Sequence, residues 1–435
     1  MKKEHVLNVI KQYFEERKNL KSWRPGIDWV QYSGPYFNSN EYVNAIKTLL
    51  NEWLVLGQDS IEFEKRFPTF LGKKYGIVTN SGSSSNLLMW SAILKKYNEN
   101  SPFVICPVAG FPTTINPILQ LGGNPLWCDI ELDTLNINLD QVEKCALAGA
   151  KFITFAHVLG NPPNMDRLME IIKKYNIILL EDCCDALGSK YDGKPLGSFG
   201  KMATCSFYPA HHITMGEGGF VATDDMLEER LLRSFRDWGR GCYCVGPKAN
   251  LSTKGTCGKR FSHWLPKLPE AIFDHKYVYD NIGFNLKPIE LQCSIGLAQL
   301  DKIDVICQKR KENHSRLKQI FSPYEEYFHF HNAQPKSDVS WFAFPLTIKN
   351  NAPFKRSDFT KYLENNKIQT RNYFGGNLLL HPAYEKYAEA FNSQSFPIAT
   401  KVTTDTFFLG TSPVITPEQL NYIQHIVQQF FKKYE

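Results

Sequence analysis

Six short apolar runs, each bounded by polar or glycine-bearing segments, constrain this chain more than any other feature. They are Gly76–Thr79, Phe103–Cys106, Pro125–Cys128, Phe152–Phe155, Ile177–Leu180 and Ala203–Phe207. Near-continuous apolar strands of this length need cover on both faces, which a parallel sheet provides and a half-solvated antiparallel sheet does not. Helical stretches such as Asn86–Lys96 and Met165–Tyr175 stand between the runs and supply the crossovers that parallel strands require. The chain therefore reads as α/β, with a mostly parallel sheet in a large domain.

The alternation stops near residue 236. Residues 236–280 are rich in Gly, Cys, aromatic and basic residues and follow neither a helical nor a strand period. Stretches of that length without regular structure are usually functional or disordered. A single helix is expected near Pro288–Lys309. Beyond it a strand at Ser340–Ile348, a helix at Ser357–Asn365 and a closing helix at Thr416–Lys433 make a small α+β domain. Three regions result: an N-terminal helical segment at 1–50, a large α/β domain at 51–310 carrying the cysteine-bearing loop at 236–280, and a small C-terminal α+β domain at 311–435.

Composition narrows the partners. The 435 residues carry a formal charge of +6, and the lysines and arginines are scattered without a basic stripe, which argues against nucleic acid and leaves anionic small molecules open. The start, Met1 to Leu7, opens a polar amphipathic helix with no apolar core of a signal peptide behind it. No apolar run approaches the roughly 18 residues of a membrane helix. A cytoplasmic protein without membrane contact is expected. In that setting eleven cysteines read as thiols or metal ligands rather than disulfides. Cys106, Cys128, Cys145, Cys205 and Cys307 are expected to be small core hydrophobes.

Several segments carry chemistry. Thr79-Asn-Ser-Gly-Ser-Ser-Ser85 follows a strand and opens a helix, so small residues let backbone N–H groups approach a phosphate at the positive helix end. Such turns are common and decide nothing alone. Leu179–Gly188 ends a buried strand with acids, among which Asp182 either caps the next turn or faces a ligand. Ser206-Phe-Tyr-Pro-Ala-His-His-Ile-Thr-Met-Gly-Glu-Gly-Gly219 has the form S-F-x-x-x-K-x-x-T-x-G-E-G-G with one exchange. In this order and spacing the segments resemble the sugar aminotransferases, pyridoxal-phosphate (PLP) enzymes of fold type I that act on nucleotide-linked keto sugars. The resemblance runs from about residue 40 to the end, and Ile368–Tyr373 and His381–Tyr384 fit the family's small domain.

The resemblance implies an aspartate-aminotransferase-like fold and a set of roles. Ser83, Ser84 and Ser206 would contact the cofactor phosphate, and Asp182 the pyridine nitrogen, keeping the ring electron-accepting. Phe111, within Pro107–Thr114, would stack on the ring. Asn285, within Gly283-Phe-Asn-Leu-Lys287, would reach the phosphate of a neighbouring subunit, which implies a homodimer with shared active sites. Trp238 and Arg240 match a segment at the site rim. Asp185, Cys183 and Cys184 depart from the family's usual Gln and Ala.

The one exchange falls on the lysine that holds PLP as a Schiff base: position 211 is His. An imidazole cannot form that bond, yet it moves protons near neutral pH. Two branches of the family have this His, and both use pyridoxamine phosphate (PMP) to remove the 3-hydroxyl of a nucleotide-linked 4-keto-6-deoxy sugar. His211 is then the expected base, with His212 in that role, or an inactive relative, as alternatives. The GDP-4-keto-6-deoxymannose 3-dehydratase branch is metal-free and regains PMP from glutamate. The CDP-4-keto-6-deoxyglucose 3-dehydrase branch relays electrons from an NADH-dependent flavin/iron–sulfur reductase through a 2Fe–2S cluster, whose usual ligands are thiolates. Cys242, Cys244 and Cys257 match what that branch carries in this loop; structural zinc is the rival reading. Cys293 is the expected fourth ligand, with Cys183 or Cys184 as alternatives. The implied activity is PMP- and 2Fe–2S-dependent C3 dehydration of CDP-4-keto-6-deoxyglucose, on the way to 3,6-dideoxyhexoses of bacterial surface polysaccharide. The alternatives are the cluster-free glutamate-using dehydratase and a non-catalytic sugar-nucleotide-binding relative.

Overall fold

All six apolar runs become strands of one seven-stranded sheet in the computed structural model, which describes residues 2–17, 22–392 and 394–434. In chain order they are β1 (Tyr75–Thr79), β2 (Phe103–Pro107), β3 (Asn124–Cys128), β4 (Phe152–Ala156), β5 (Ile178–Asp182) and β6 (Met202–Ser206), and β7 is Gly219–Thr223. The spatial order is β1-β7-β6-β5-β4-β2-β3. Strands β2 to β6 run parallel, with Ala156 beside Asp182 and Asp182 beside Thr204. β7 is antiparallel to both β1 and β6. This strand was not anticipated. Its Gly219-Phe-Val-Ala-Thr223 is buried throughout, but it follows directly on a glycine-rich turn that masks its start.

Local signals set the helix ends. The helix Met165–Tyr175 has the expected bounds: the Asn164 side chain accepts the Arg167 N–H at its start, and Asn176 ends it in the left-handed region at φ 53°. The helix after β1 is longer than expected and spans Gly82–Tyr97, with the Ser81 side chain as its N-cap.

Three expectations need correction. Pro288–Lys309 is two helices, Glu290–Leu300 and Ile303–Phe321, broken at Asp301-Lys302. The second runs past residue 310. Its Ile303, Ile306 and Cys307 sit in the core of the large domain, whereas Leu317, Ile320 and Phe321 sit in that of the small one. One helix thus couples the two cores. The first fifty residues contain only the helices Lys3–Arg17 and Ser39–Leu49 among the described residues, and no side chain of Lys3–Arg17 is buried. The 236–280 loop contains one helical turn at Gly246–Asn250, a paired Phe261–Ser262 and Phe273–Asp274, and a 3-10 turn at His275–Tyr277.

The small domain is a four-stranded antiparallel sheet, in spatial order Phe328–Phe330, Ala343–Ile348, Thr406–Gly410 and Arg371–Asn372. The helices Arg356–Asn365 and Pro417–Phe431 cover it over a phenylalanine-rich core. No helix among the described residues is long and apolar enough to cross a membrane.

Candidate active site

The parallel strands end along one edge of the large sheet, where ligands of open α/β folds sit. A cavity of about 820 Å³ opens there, lined by Ser83, Phe111, Asp182, Ser206 and His211 from the large domain and by Phe342, Arg371 and Phe374 from the small one. That volume suits a cofactor with part of a substrate.

Asp182 terminates β5 and is buried. Its carboxylate accepts from Asn86 Nδ2 at 2.8 Å, Thr114 Oγ1 at 2.7 Å and the Cys184 N–H at 3.0 Å. Neutral donors therefore orient it without a cation. Asn86, on the helix Gly82–Tyr97, itself accepts from Thr204 Oγ1 at 2.6 Å, so β6 supports the acid through that helix. The N-terminus of the helix Gly82–Tyr97 meets β6 so closely that a Cβ on Gly82 would lie 2.5 Å from Ser206 Cβ. This approach brings Ser83, Ser206 and the positive helix end to one corner of the cavity, a fit for a phosphate. Ser84 does not line the cavity; its N–H donates to Ser81 Oγ. Phe111 is half exposed at the rim, edge-on to Phe374 at 6.1 Å.

His211 faces the cavity and packs on Phe342, with ring centroids 5.2 Å apart. Its Nδ1 is 3.5 Å from an Asp185 oxygen and has no hydrogen-bond partner. Burial, reinforced by the charge of Arg310 and opposed by the Cys184 carbonyl, pushes the imidazole down to about 3. Burial and the Asp182 charge push Asp185 up to about 8. The two are thus a neutral imidazole beside a neutral acid at pH 7, not an ion pair. Arg310 is buried and donates to the carbonyls of Ala210, His211 and Phe342 at 3.1, 3.0 and 2.9 Å, which pins the turn bearing His211 to the small domain. His212 points elsewhere, with Nε2 2.9 Å from the Ser340 carbonyl, and does not line the cavity.

Sequence reasoning missed the residues supplied by other segments. Among the described residues Arg371 is the one cation lining the cavity, and it lies over the Tyr32 ring at 4.4 Å. Tyr32 belongs to no motif, and Arg371 lies in the family-like segment Ile368–Tyr373, where no role is assigned to it. Asn285 lies outside the cavity of its own chain, exposed and paired through its backbone with Asp237. Nearby, Lys287 Nζ lies 3.3 Å over the Trp238 ring, which Arg240 also faces at 4.5 Å.

The loop brings three thiols together. A Cβ on Gly255 would lie 3.7 Å from Cys257 Sγ and 3.8 Å from Cys244 Sγ, and Thr256 Oγ1 is 2.9 Å from Cys244 Sγ. Burial raises the Cys242 thiol. At Cys244 burial acts the same way, but hydrogen bonds from Thr256, Cys257 and Cys242 outweigh it and hold the thiol below its ordinary value. All three are half-exposed, though among the described residues no group of three sulfurs lies within 4.8 Å of one another. Cys293 does not join them. It is fully buried in the large-domain core, next to Glu290 and Glu64 rather than the loop, because its helix face turns inward. Cys183 is likewise sealed in the core, whereas Cys184 lines the cavity.

Comparison with known proteins agrees with this geometry. The model of the DegT/DnrJ/EryC1/StrS aminotransferase family matches residues 37–428. The chain is 39% identical to the lipopolysaccharide biosynthesis protein RfbH of Salmonella typhimurium, over 99% of this chain and 98% of that protein. It is 37% identical to dTDP-4-dehydro-2,6-dideoxy-D-glucose 3-dehydratase of Saccharopolyspora spinosa, over 99% and 92%. Among solved structures it is similar to E. coli GDP-4-keto-6-deoxy-D-mannose-3-dehydratase with bound hydrated PLP, with a TM-score of 0.79 and 26% identity over 92% of this chain and 99% of that one.

Proposed function

The chain belongs to the DegT/DnrJ/EryC1/StrS aminotransferase family, and from that premise we propose that it removes the C3 hydroxyl of CDP-4-keto-6-deoxyglucose using PMP and a 2Fe–2S cluster. The observation that carries this reading is His211, an imidazole directed into the cavity at the position of the family's lysine. Bound in the cavity, PMP supplies an amine for the sugar ketone and an electron-accepting ring as the hydroxyl leaves.

The protein's own residues do the rest. Ser83, Ser206 and the helix N-terminus hold the phosphate, with Asn285 of a second subunit completing it in a homodimer. Asp182, fixed by three neutral donors, meets the ring nitrogen. Phe111 closes the ring's outer face. His211, kept neutral by burial, has a nitrogen ready to take a proton from the cofactor's methylene carbon. Asp185, 3.5 Å from the other nitrogen, faces the imidazole as a neutral acid whose proton burial retains.

Cys242, Cys244 and Cys257 support the cluster because three half-exposed thiols share one loop, one of them held toward the thiolate. Cys184 is the fourth ligand, since of the thiols considered for that place it alone borders the cavity. A reductase then docks at the exposed loop. CDP-linked sugar is favoured by the branch to which these cysteines correspond, and the lipopolysaccharide role named for the 39% identical relative supports the setting.

The test is anaerobic purification with iron and sulfide quantitation, followed by turnover of CDP-, dTDP- and GDP-linked 4-keto-6-deoxy sugars. The proposal expects bound iron and reductase-dependent turnover of the CDP sugar. Iron-free protein turning over with glutamate would replace it by the cluster-free reaction. His211→Asn is expected to retain PMP and lose hydrogen exchange at the methylene carbon; unaltered exchange would remove His211 from the role of base.

A further inference from the structure

We propose that Cys128 and Cys145 form a peroxide-responsive dithiol that closes to a disulfide at the junction of the two domains. Cys128 is the last residue of β3 and fully buried; Cys145 lies on the helix Leu139–Leu147 and is half-exposed. Their sulfurs are 3.8 Å apart. Since a disulfide bond is about 2.05 Å long, closure needs the sulfurs to approach by about 1.8 Å, within reach of side-chain rotation and a small helix shift. A third thiol, Cys106 on β2, is fully buried close by. The three sulfurs do not all lie within 4.8 Å of one another, so the arrangement is a pair and not a metal triad.

The two thiols are unequal in the way such a pair requires. A hydrogen bond from Cys128 lowers the Cys145 thiol against the opposing effect of partial burial, while that bond and burial raise Cys128. Cys145 is therefore the accessible nucleophile and Cys128 the protected resolving thiol. The Cys145 thiolate attacks hydrogen peroxide, breaking the O–O bond to give a sulfenic acid and hydroxide. The Cys128 sulfur then attacks the sulfenic sulfur, forming the S–S bond. Hydroxide leaves and takes up the Cys128 thiol proton as water. In sum two thiols lose two electrons and one peroxide becomes two waters.

The place of the pair gives it a consequence. Asp129, the next residue after Cys128, accepts the N–H groups of Ile398 and Ala399 at 3.1 and 2.8 Å, capping the small-domain helix Pro397–Asp405. Its own N–H donates to Gln141 Oε1, on the helix that carries Cys145, at 2.6 Å. A bond between Cys128 and Cys145 clamps that helix to β3 at the point where the small domain is attached.

The experiment treats the cofactor-loaded enzyme with hydrogen peroxide, alkylates remaining thiols, and maps peptides by mass spectrometry without reduction. The expected product is a peptide linking Cys128 to Cys145, two hydrogens lighter than its parts and reversed by dithiothreitol, with Cys106 still alkylated. Cys128→Ala should leave Cys145 as a sulfenic acid captured by dimedone, and Cys145→Ala should leave Cys128 reduced. Alkylation of both Cys128 and Cys145 in wild type, at a peroxide dose that oxidises other cysteines, overturns the proposal. So does dimedone capture at Cys128 in Cys145→Ala. The loop cysteines fall on separate peptides, so this result is independent of whether the chain holds a cluster.

Discussion

Replacing Asp185 by Asn should stabilise the cofactor-free protein, increasingly so as pH rises. The Asp185 carboxyl is pushed up to about 8 from an ordinary 3.8 by burial and by Asp182. Between those values the folded state keeps a proton that the unfolded state has lost. Stability then falls as pH rises, by up to about 1.4 kcal/mol per pH unit. The contribution is fully present below pH 3.8 and gone above about 8. Over the whole range the ceiling is about 6 kcal/mol, and from pH 5.5 to 7.5 it is about 3 kcal/mol. The side chain retains 9% exposure and borders an open cavity, which moderates the penalty. An observable difference of about 1–2 kcal/mol across those two units is expected. Asp185→Asn has nearly the same shape and no proton to lose, so its stability lacks this slope. His211 remains neutral in both proteins over this range, and the comparison cancels it. The assay is urea unfolding of apo wild type and Asp185→Asn at pH 5.5, 6.5 and 7.5. A gap between the two proteins that stays constant with pH would mean that Asp185 is ionised in the fold, and the assignment of a neutral acid beside His211 would fail.

Gly82→Ala drives a Cβ to 2.5 Å from Ser206 Cβ, so the helix must retreat from β6; a loss of about 1–3 kcal/mol in stability and at least about tenfold weaker PLP binding are expected, read by thermal melts and fluorescence titration. Glu290→Ala removes a buried carboxylate that accepts the N–H groups of Gly57, Asp59 and Ser60 at the start of the helix Gln58–Arg66. It should lower unfolding free energy by about 2–3 kcal/mol in urea, and a loss under 0.5 kcal/mol would show those donors satisfied by water. Cys242→Ser, Cys244→Ser and Cys257→Ser should each reduce bound iron, whereas Cys293→Ser should leave it intact; iron retained in any of the first three strikes that residue from the ligand set.

The parallel sheet and the chemistry at its edge were legible in the chain because both are local. A buried strand writes itself as an unbroken apolar run, and Asp182 and His211 sit beside such runs at Leu179–Leu180 and Cys205–Phe207. The helix Met165–Tyr175 could be bounded from Asn164 and Asn176 alone, since capping depends on residues within one turn. Other features depend on distance in space. The direction of Cys293 was hidden because the face a helix buries is chosen by its neighbours, and here those neighbours seal the sulfur in the core. Arg371 and Tyr32, 339 positions apart in the chain, carry no pattern that would pair them at one cavity wall. The neutral state of His211 and Asp185 likewise belongs to no residue type. Composition and order determined which groups the chain could bring to the site. Only the closing of the small domain over the sheet edge removed water from around them, and desolvation, not sequence, sets the charge they carry.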